Sequence, residues 1–334
     1  MTDSLSSYQP VSSAENLANT DSQVTNHFIE PVVLIRRMAL GIAIATWMVM
    51  AIGSATRVMN AGLACPDWPL CYGSVLPASQ MNLQVFLEWF HRLVASTVGF
   101  ATIVLFSASW YFRKSLPKWL PWATSGSLSL VVVQGILGGL TVTQLLRFDI
   151  VTAHLGTGLL FFSSLLAIAT ALSTDQLHDG ETFRVSPKIA WLGLSAAILV
   201  YLQSILGALV ASQWALHQCF ATQDMCIVLN SHLLGVIPAT IATIAVVVTA
   251  WINKAIAPIL RRLATIAGLL VIAQVAIGYG TYKLHLQVEP LTIAHQATGS
   301  ALLGTLVCFA VLAFRANRQD QKVQKHNQAQ PAIR

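Results

Sequence analysis

The sequence predicts an all-α integral membrane protein whose eight transmembrane helices form two pseudo-symmetric four-helix bundles. Apolar residues make up 55% of the chain and charged residues only 10%, a composition typical of proteins that lie mostly within a bilayer. Eight apolar runs follow one another, each near the roughly 20 residues that a helix needs to cross the hydrocarbon core. A repeated spacing of histidines, described below, indicates that the last four runs duplicate the first four.

The predicted helices follow the apolar runs in chain order. Residues 1–33 are rich in Ser, Thr, Asn and Gln and have no apolar period, which predicts a disordered tail. The N-terminal half then covers residues 34–172, and a linker at 173–188 separates it from the C-terminal half at 189–314. A second tail is predicted at 315–334. We place the helices at residues 34–56, 85–112, 122–145, 150–172, 189–212, 227–252, 263–282 and 291–314.

The positions of Lys and Arg predict the orientation, because short cytoplasmic loops retain cations. With an even number of helices both termini share a side, and fifteen of the nineteen cations lie there. We therefore expect both termini in the cytoplasm and the helices in contact with membrane lipid. The net charge of +6 reflects this topology, and no nucleic-acid binding is expected because no folded basic domain accompanies it. The other four cations, at or near the outer ends of helices, are Arg57, Arg92, Arg147 and Lys283.

Four histidines occupy equivalent places in the two halves. His91 and His154 are 63 residues apart, and so are His232 and His295. All four fall in the first turns of even-numbered helices, so we expect them at one depth near the outer surface. A single intramembrane histidine is more often a packing residue or part of a proton path than a ligand. Four at matched depth and spacing predict two hemes with paired imidazoles, whereas zinc or copper would need further ligands in each half.

Glu88 distinguishes the first half from the second. It is the only carboxylate that we place within an apolar segment, and its i, i+3 spacing puts it on the helix face of His91. The matching residue in the second half is Leu229. One interpretation is a salt bridge to Arg92 or Arg57 that fixes the adjoining loop, since a buried carboxylate needs a partner. The interpretation that we favour is a proton-handling group beside a bound substrate, with one heme acted upon and the other assisting.

Two cysteine pairs lie in predicted outer loops, Cys65 with Cys71 and Cys219 with Cys226. Each pair begins 12 residues after a glycine of the preceding helix, so the pairs belong to the duplication. Both face the oxidising side of the membrane. The first interpretation is a loop-closing disulfide in each loop, and the alternatives are a redox-active or heme-handling pair and a metal site.

Together these features resemble the heme A synthase family, over about residues 34–314. The two outer-loop cysteine pairs are those of its bacterial branch, which implies a multi-pass protein of the bacterial cytoplasmic (inner) membrane. The other motifs are Glu88-x-x-His91-Arg92, the Ala-His segments at His154 and His295, and His232 after the second cysteine pair.

The resemblance implies an oxidoreductase that converts heme O to heme A for cytochrome oxidase, taking a ring methyl group through an alcohol to a formyl group. It implies that His91 and His154 bind the iron of the substrate heme O, and that His232 and His295 are the axial ligands of a heme b cofactor. Glu88 is then the catalytic candidate. A heme O synthase is the expected supplier, the electron acceptor is not identified, and a homo-oligomer is left open. The candidates for contacts with heme propionates, which could equally be interfacial anchors, are Arg57, Arg92, Arg147 and Lys283.

Two other classes of protein compete with this interpretation. A diheme b-type membrane electron-transfer cytochrome that oxidises quinol would use the same ligands, but it does not account for Glu88 in one half only. A transporter built from repeats would tend to place broken helices and polar groups at the membrane midplane. Here the polar residues cluster near one surface.

Overall fold

The chain is a multi-pass membrane protein. The computed structural model describes residues 30–173, 185–211, 227–253, 255–284 and 287–329, and these contain no β-sheet and eight helices long and apolar enough to cross a membrane. The predicted all-α class and helix number are therefore confirmed. The helices are α1 Pro31–Val58, α2 Leu83–Tyr111, α3 Leu120–Thr143, α4 Phe148–Ala171, α5 Pro187–Val210, α6 Ile227–Ile252, α7 Pro258–Lys283 and α8 Glu289–Ala329.

Some sequence predictions fall outside the described residues. They are the tail up to residue 29, most of the linker at 173–188, the last five residues of the chain, and the second cysteine pair, Cys219 and Cys226. The division of the chain into these units remains a prediction.

Local signals explain where the helices begin. α1, α3, α5 and α7 each have a proline in their first turn, where the missing N–H costs no helical hydrogen bond. Asn82 precedes α2, and its side chain accepts a hydrogen bond from the backbone N–H of Val85 at 2.9 Å. These signals explain why predicted and observed helix starts mostly agree within a few residues.

The end of α8 differs from the prediction. The apolar run stops near residue 314, but the helix continues to Ala329. Arg315 donates to the carbonyl oxygens of Thr170 at 2.9 Å and Ser173 at 2.7 Å, and Asn317 donates to that of Val185 at 2.8 Å. The first polar residues after the apolar run of α8 thus bind carbonyls at the end of α4 and before α5, and these bonds stabilise the helix beyond that run.

The helices of each half pack in the same order. In the first half α1 contacts α2 and α4, and α3 contacts α2 and α4, while α5 to α8 repeat these four pairings. Between the halves α4 contacts α8, and each of them also contacts the first helix of the other half. This order is what a duplicated four-helix unit would produce, although a two-fold relation between the halves remains a prediction.

Each half has its own apolar core. Buried side chains from α1 to α4, including Leu105 and Phe161, form one cluster, and those from α5 to α8, including Leu260 and Phe309, form the main part of another. Met50 of α1 packs against both clusters. The two cores therefore meet at an apolar contact through Met50.

Candidate functional site

The four histidines lie near the starts of the even-numbered helices, as predicted. His91 is in α2, His154 in α4, His232 in α6 and His295 in α8, each within about the first nine residues of its helix. Alternate helices of a spanning bundle run in the same direction. The four imidazoles therefore lie toward the same side of the bundle.

Each imidazole lies against a glycine of the preceding helix. A methyl group in place of that glycine hydrogen would come within 2.7 to 3.4 Å of the Cε1 atom of the ring, so a larger residue would push most of these imidazoles away. The pairs are Gly53 with His91, Gly138 with His154, Gly207 with His232 and Gly278 with His295.

Three of these glycines follow a glutamine by four residues, which places the glutamine one turn away on the same helix. Gln134 donates to the backbone carbonyl of His154 at 2.7 Å, and Gln203 donates to that of His232 at 2.7 Å. The amide of Gln203 also lies 2.9 Å from Nδ1 of the His232 ring. The carbonyl contacts join each histidine-bearing helix to the helix before it, and the contact at Nδ1 is of the kind that orients a histidine ring. The repeated Gln-x-x-x-Gly pattern in the sequence is the signal for these residues; two copies of it indicated the duplication, but the glutamines were not predicted to contact the histidines.

The fourth site departs from this pattern. The residue four positions before Gly53 is Val49, so no glutamine supports His91 from α1. In α7 the amide nitrogen of Gln274 lies 3.3 Å from Nε2 of His295. The C-terminal pair thus has an amide beside each ring, whereas in the N-terminal pair an amide contacts only the backbone carbonyl of His154.

The C-terminal pair has the separation expected of two ligands to one iron. The ring centroids of His232 and His295 lie 6.4 Å apart, with the ring planes at 85°. Metal–imidazole bonds of about 2 Å on opposite faces of one iron place the centroids about 6 Å apart. Both rings line a largely apolar cavity of 310 Å³ between the helices of the second half. Its walls include Leu155 and Leu159 of α4, so the two halves share a wall there.

The donor set also fits heme. Within the described ranges, no group of three or more His, Cys, Asp or Glu side chains is placed to hold a metal ion. Two imidazoles without a third protein ligand suit an iron porphyrin, which needs two axial ligands, better than zinc. The Nδ1 atoms of His91, His154 and His295 are buried and have no side-chain hydrogen-bond partner among the described residues. The residues present therefore fit a heme in each half.

A substitution in α7 tests the contact between glycine and imidazole. At Gly278 an added Cβ would lie 2.7 Å from Cε1 of His295, whereas at Gly280 the nearest atom is Leu291 Cδ1 at 3.8 Å. We expect Gly278→Ala to destabilise the packing of His295 against α7 by about 1–3 kcal/mol. The amount of heme bound per purified protein, measured from the Soret band, should therefore fall. Gly280→Ala is the matched control and should keep wild-type heme content. Equal heme content in both variants would contradict the proposed contact.

Glu88 is buried, with a relative exposure of 3%, and both of its carboxylate oxygens have partners. Oε1 accepts from Nη2 of Arg92 at 2.5 Å, and Oε2 accepts from the backbone N–H of Cys65 at 2.7 Å. Arg92 is thus the salt-bridge partner, and Arg57 is not. The structure therefore contains the loop-fixing contact that was the alternative to a proton-handling role, and the proton-handling role remains a prediction.

Arg92 binds backbone carbonyls of the loop that follows α1. Its guanidinium donates to the carbonyl oxygens of Asp67 and Leu70 at 2.7 Å each, and to that of Cys65 at 3.2 Å. Together with Glu88 it attaches both Cys65 and Leu70, which precedes Cys71, to α2. Most of its donors are thereby used within the protein, which leaves few for a propionate.

A disulfide closes this loop between Cys65 and Cys71, as the first interpretation of the pair predicted. The carboxylate of Asp67 accepts from the backbone N–H groups of Tyr72 at 2.6 Å and Gly73 at 2.8 Å. These bonds, that from Gly73 first, hold the pKa of Asp67 below its usual value. We refer to residues 65–73 as the disulfide loop.

The disulfide loop lies at the end of the N-terminal half that holds His91 and His154. The ring of Trp68 lies 3.2 Å from where a Cβ of Gly139 would be, and Gly139 follows the glycine that faces His154. The indole N–H of Trp89 donates to the carbonyl of Val75 at 2.7 Å. The disulfide loop and the residues just after it therefore contact both α2 and α3 near the first imidazole pair.

The remaining propionate candidates have different surroundings. Arg147 makes two bonds to Asp149, at 2.7 and 3.2 Å, and its side chain is more than half exposed. Lys283 lies over the ring of Tyr279, 5.5 Å from its centroid. Arg57 lines the cavity that contains His232.

Comparison with known proteins places this arrangement in a family. The family described as cytochrome oxidase assembly protein (COX15-CtaA) matches residues 36–307, a range that extends from α1 into α8 and includes all four histidines. The chain belongs to this family. The family assignment confirms the resemblance that the sequence motifs indicated.

Its relatives carry one name. The chain is 27% identical over 295 residues to the heme A synthase of Bacillus licheniformis, covering 84% of this chain and 96% of that protein. It is 27% identical over 336 residues to the heme A synthase of Caulobacter vibrioides, covering 82% and 95%. The heme A synthase of Shewanella oneidensis is 29% identical over 195 residues, about half of each chain. The family member described here therefore matches two of these relatives over nearly their full length.

Thiol labelling tests the cysteine pairs and the topology together. We expect an impermeant thiol reagent added to intact cells to label Cys65, Cys71, Cys219 and Cys226 only after reduction, because the sequence predicts that both pairs face the oxidising side. A Cys308→Ser variant should label identically, since Cys308 lies within α8. Labelling of all four residues without reductant would contradict both the disulfides and the orientation.

Proposed function

We propose that this protein is a heme A synthase, which oxidises a ring methyl group of heme O to a formyl group through an alcohol. The observation that carries the proposal is the glycine beside each of four imidazoles, because this provides two sites for a flat macrocycle in one membrane chain. Family membership and the names of the relatives favour a synthase over a diheme b-type electron-transfer cytochrome.

The two sites have different roles in this proposal. His91 and His154 bind the substrate heme O, and His232 and His295 bind a resident heme b. Two differences between the halves support this division. Glu88 and the disulfide loop lie at the N-terminal pair, while the C-terminal pair has the 6.4 Å ring separation and an amide beside each ring.

The reaction requires an electron acceptor beside the substrate. Oxidation of the methyl group to the alcohol incorporates the oxygen of one water and releases two electrons and two protons, and oxidation of the alcohol to the aldehyde releases two more of each. Bound heme b would supply the redox chemistry by taking up electrons. The shared wall of Leu155 and Leu159 brings its cavity next to the helix that carries His154.

The protein itself must hold the substrate and accept the protons. Glu88 is our candidate for a proton acceptor, or for activating the water, because it lies one turn from His91 on the same helix face. Its ion pair with Arg92 holds it in place. The disulfide loop lies above this site, and the packing of Trp68 against α3 supports a role in excluding bulk water.

We further propose that the protein lies in the bacterial inner membrane with both termini in the cytoplasm. The clustering of cations on one side supports this orientation. Heme O would reach the site through the membrane from a heme O synthase.

Pigment extraction tests the proposed function. Cells that produce heme O but contain no other heme A synthase should accumulate heme A when they express this protein, as measured by chromatography of extracted hemes. Cells that express a His154→Ala variant should not. Recovery of unchanged heme O from cells with well-folded wild-type protein would favour the electron-transfer cytochrome.

A further inference from the structure

Arg57 belongs to the N-terminal half but lines the cavity of the C-terminal half. It lies in the last turn of α1, and the cavity is the one that contains His232 and His295. α1 reaches this cavity because it packs on α8, where the indole N–H of Trp47 donates to the carbonyl of Ala297 at 3.0 Å. The wall of the second site therefore includes a side chain from the first half.

Among the described residues, the guanidinium of Arg57 has no counter-charge. It is partly buried, and among the described residues it has neither an ion pair nor a hydrogen bond. It is also the only Lys, Arg, Asp or Glu among the described residues that line the cavity. An intramembrane cation without a partner is costly, so such a residue normally meets an anion or a water-filled space.

A comparison of the two repeats shows that only one of the two sites has a cation at this position. Gly53 and Gly207 differ by 154 positions, and so do Trp47 and Tyr201. Tyr201 donates to the carbonyl of Gly156 at 3.4 Å, across the halves, as Trp47 donates to Ala297. The same offset of 154 takes Arg57 to Ala211.

The carbonyl acceptors support this register. Gly156 and Ala297 differ by 141 positions, as do His91 and His232. The two contacts between the halves are thus equivalent, and only the first half supplies a cation at the position of Arg57. The presence of Arg57 is therefore a real difference between the two sites and does not come from a misaligned repeat.

We propose that Arg57 binds a carboxylate of the porphyrin held by His232 and His295, and so attaches the resident heme to the N-terminal half. The proposal rests on the proposed function, which places a heme in that cavity. A guanidinium can form two parallel bonds to one carboxylate. A positive charge beside the porphyrin also favours the reduced iron and raises its midpoint potential, as an electron-accepting cofactor requires.

The test measures heme retention and potential rather than heme A formation. We expect Arg57→Gln to lose its C-terminal heme to a scavenger such as apomyoglobin about ten-fold faster than wild type. We also expect a lower midpoint potential in a redox titration, by about 59 mV if reduction becomes ten-fold less favourable. Arg37→Gln removes the same charge from the opposite end of α1 and should match wild type in both measurements.

Arg57→Lys provides a second variant that does not depend on recovery of the first. It keeps the charge but not the two-bond geometry, so we expect a near-normal potential with faster heme loss. Heme-loaded Arg57→Gln that matches Arg37→Gln in both properties would overturn the proposal, as would Arg57→Lys with unchanged heme loss. Either result could occur with heme A production intact. Wild-type protein that retains C-terminal heme but makes no heme A would instead contradict the proposed function alone.

Discussion

Replacing Glu88 with Gln is expected to leave heme content near normal and to lower heme A production by at least about a hundred-fold. Gln nearly preserves the size of the side chain and can still accept the hydrogen bond from the backbone of Cys65. It cannot accept a proton, so the alcohol form of the substrate should accumulate. The measurement is heme A formed per bound heme in purified protein, with the alcohol quantified in the same extract.

Arg92→Gln is the matched control, because it breaks the same ion pair and keeps the carboxylate. Loss of one partner of a buried pair costs on the order of 3–5 kcal/mol, so both variants should yield less folded protein. If Glu88 accepts protons, Glu88→Gln loses far more turnover per heme-loaded molecule than Arg92→Gln, which loosens the carboxylate but keeps it. If Glu88 acts only through Arg92 to hold the disulfide loop, the two variants should behave alike. Retained turnover in folded Glu88→Gln would remove Glu88 from the mechanism.

The histidine variants should divide into two classes. Purified wild-type protein should show a low-spin, six-coordinate heme spectrum, because two imidazoles fill both axial positions. His232→Ala or His295→Ala should remove most of the resident heme b. His91→Ala or His154→Ala should leave it in place and chiefly weaken the binding of added heme O. Heme content per protein and the spectral titration with heme O measure the two effects separately.

Two further measurements on His232→Ala exclude general unfolding as the cause of heme loss. His232→Ala should elute from size-exclusion chromatography at the wild-type position, since its apolar core residues are unchanged. Added imidazole should restore part of the heme binding, because it can replace the missing ring as an axial ligand. Equal heme loss from all four histidine variants would contradict the division into substrate and cofactor sites.

Much of the fold could be predicted because its causes are local. A run of apolar residues is sufficient to specify a membrane-spanning helix, since the bilayer leaves the backbone no other way to satisfy its hydrogen bonds. The start of α6 at Ile227 was predicted at the observed residue, and most other starts within a few residues. The end of α8 was predicted too early, because bonds from Arg315 to the end of α4 join residues that are distant in sequence.

The equal spacing of His91, His154, His232 and His295 was enough to indicate two pairs, because equivalent positions on duplicated helices lie at the same depth. Spacing along the chain, however, contains no information about which side chains meet across helices. Glu88 pairs with Arg92 one turn along its own helix, a partner that the sequence had already offered. The glycine opposite each imidazole and the reach of Arg57 into the other half's cavity, by contrast, depend on how helices pack. Helix packing is set by side-chain shape along whole helix faces. These contacts therefore became visible only in the folded chain.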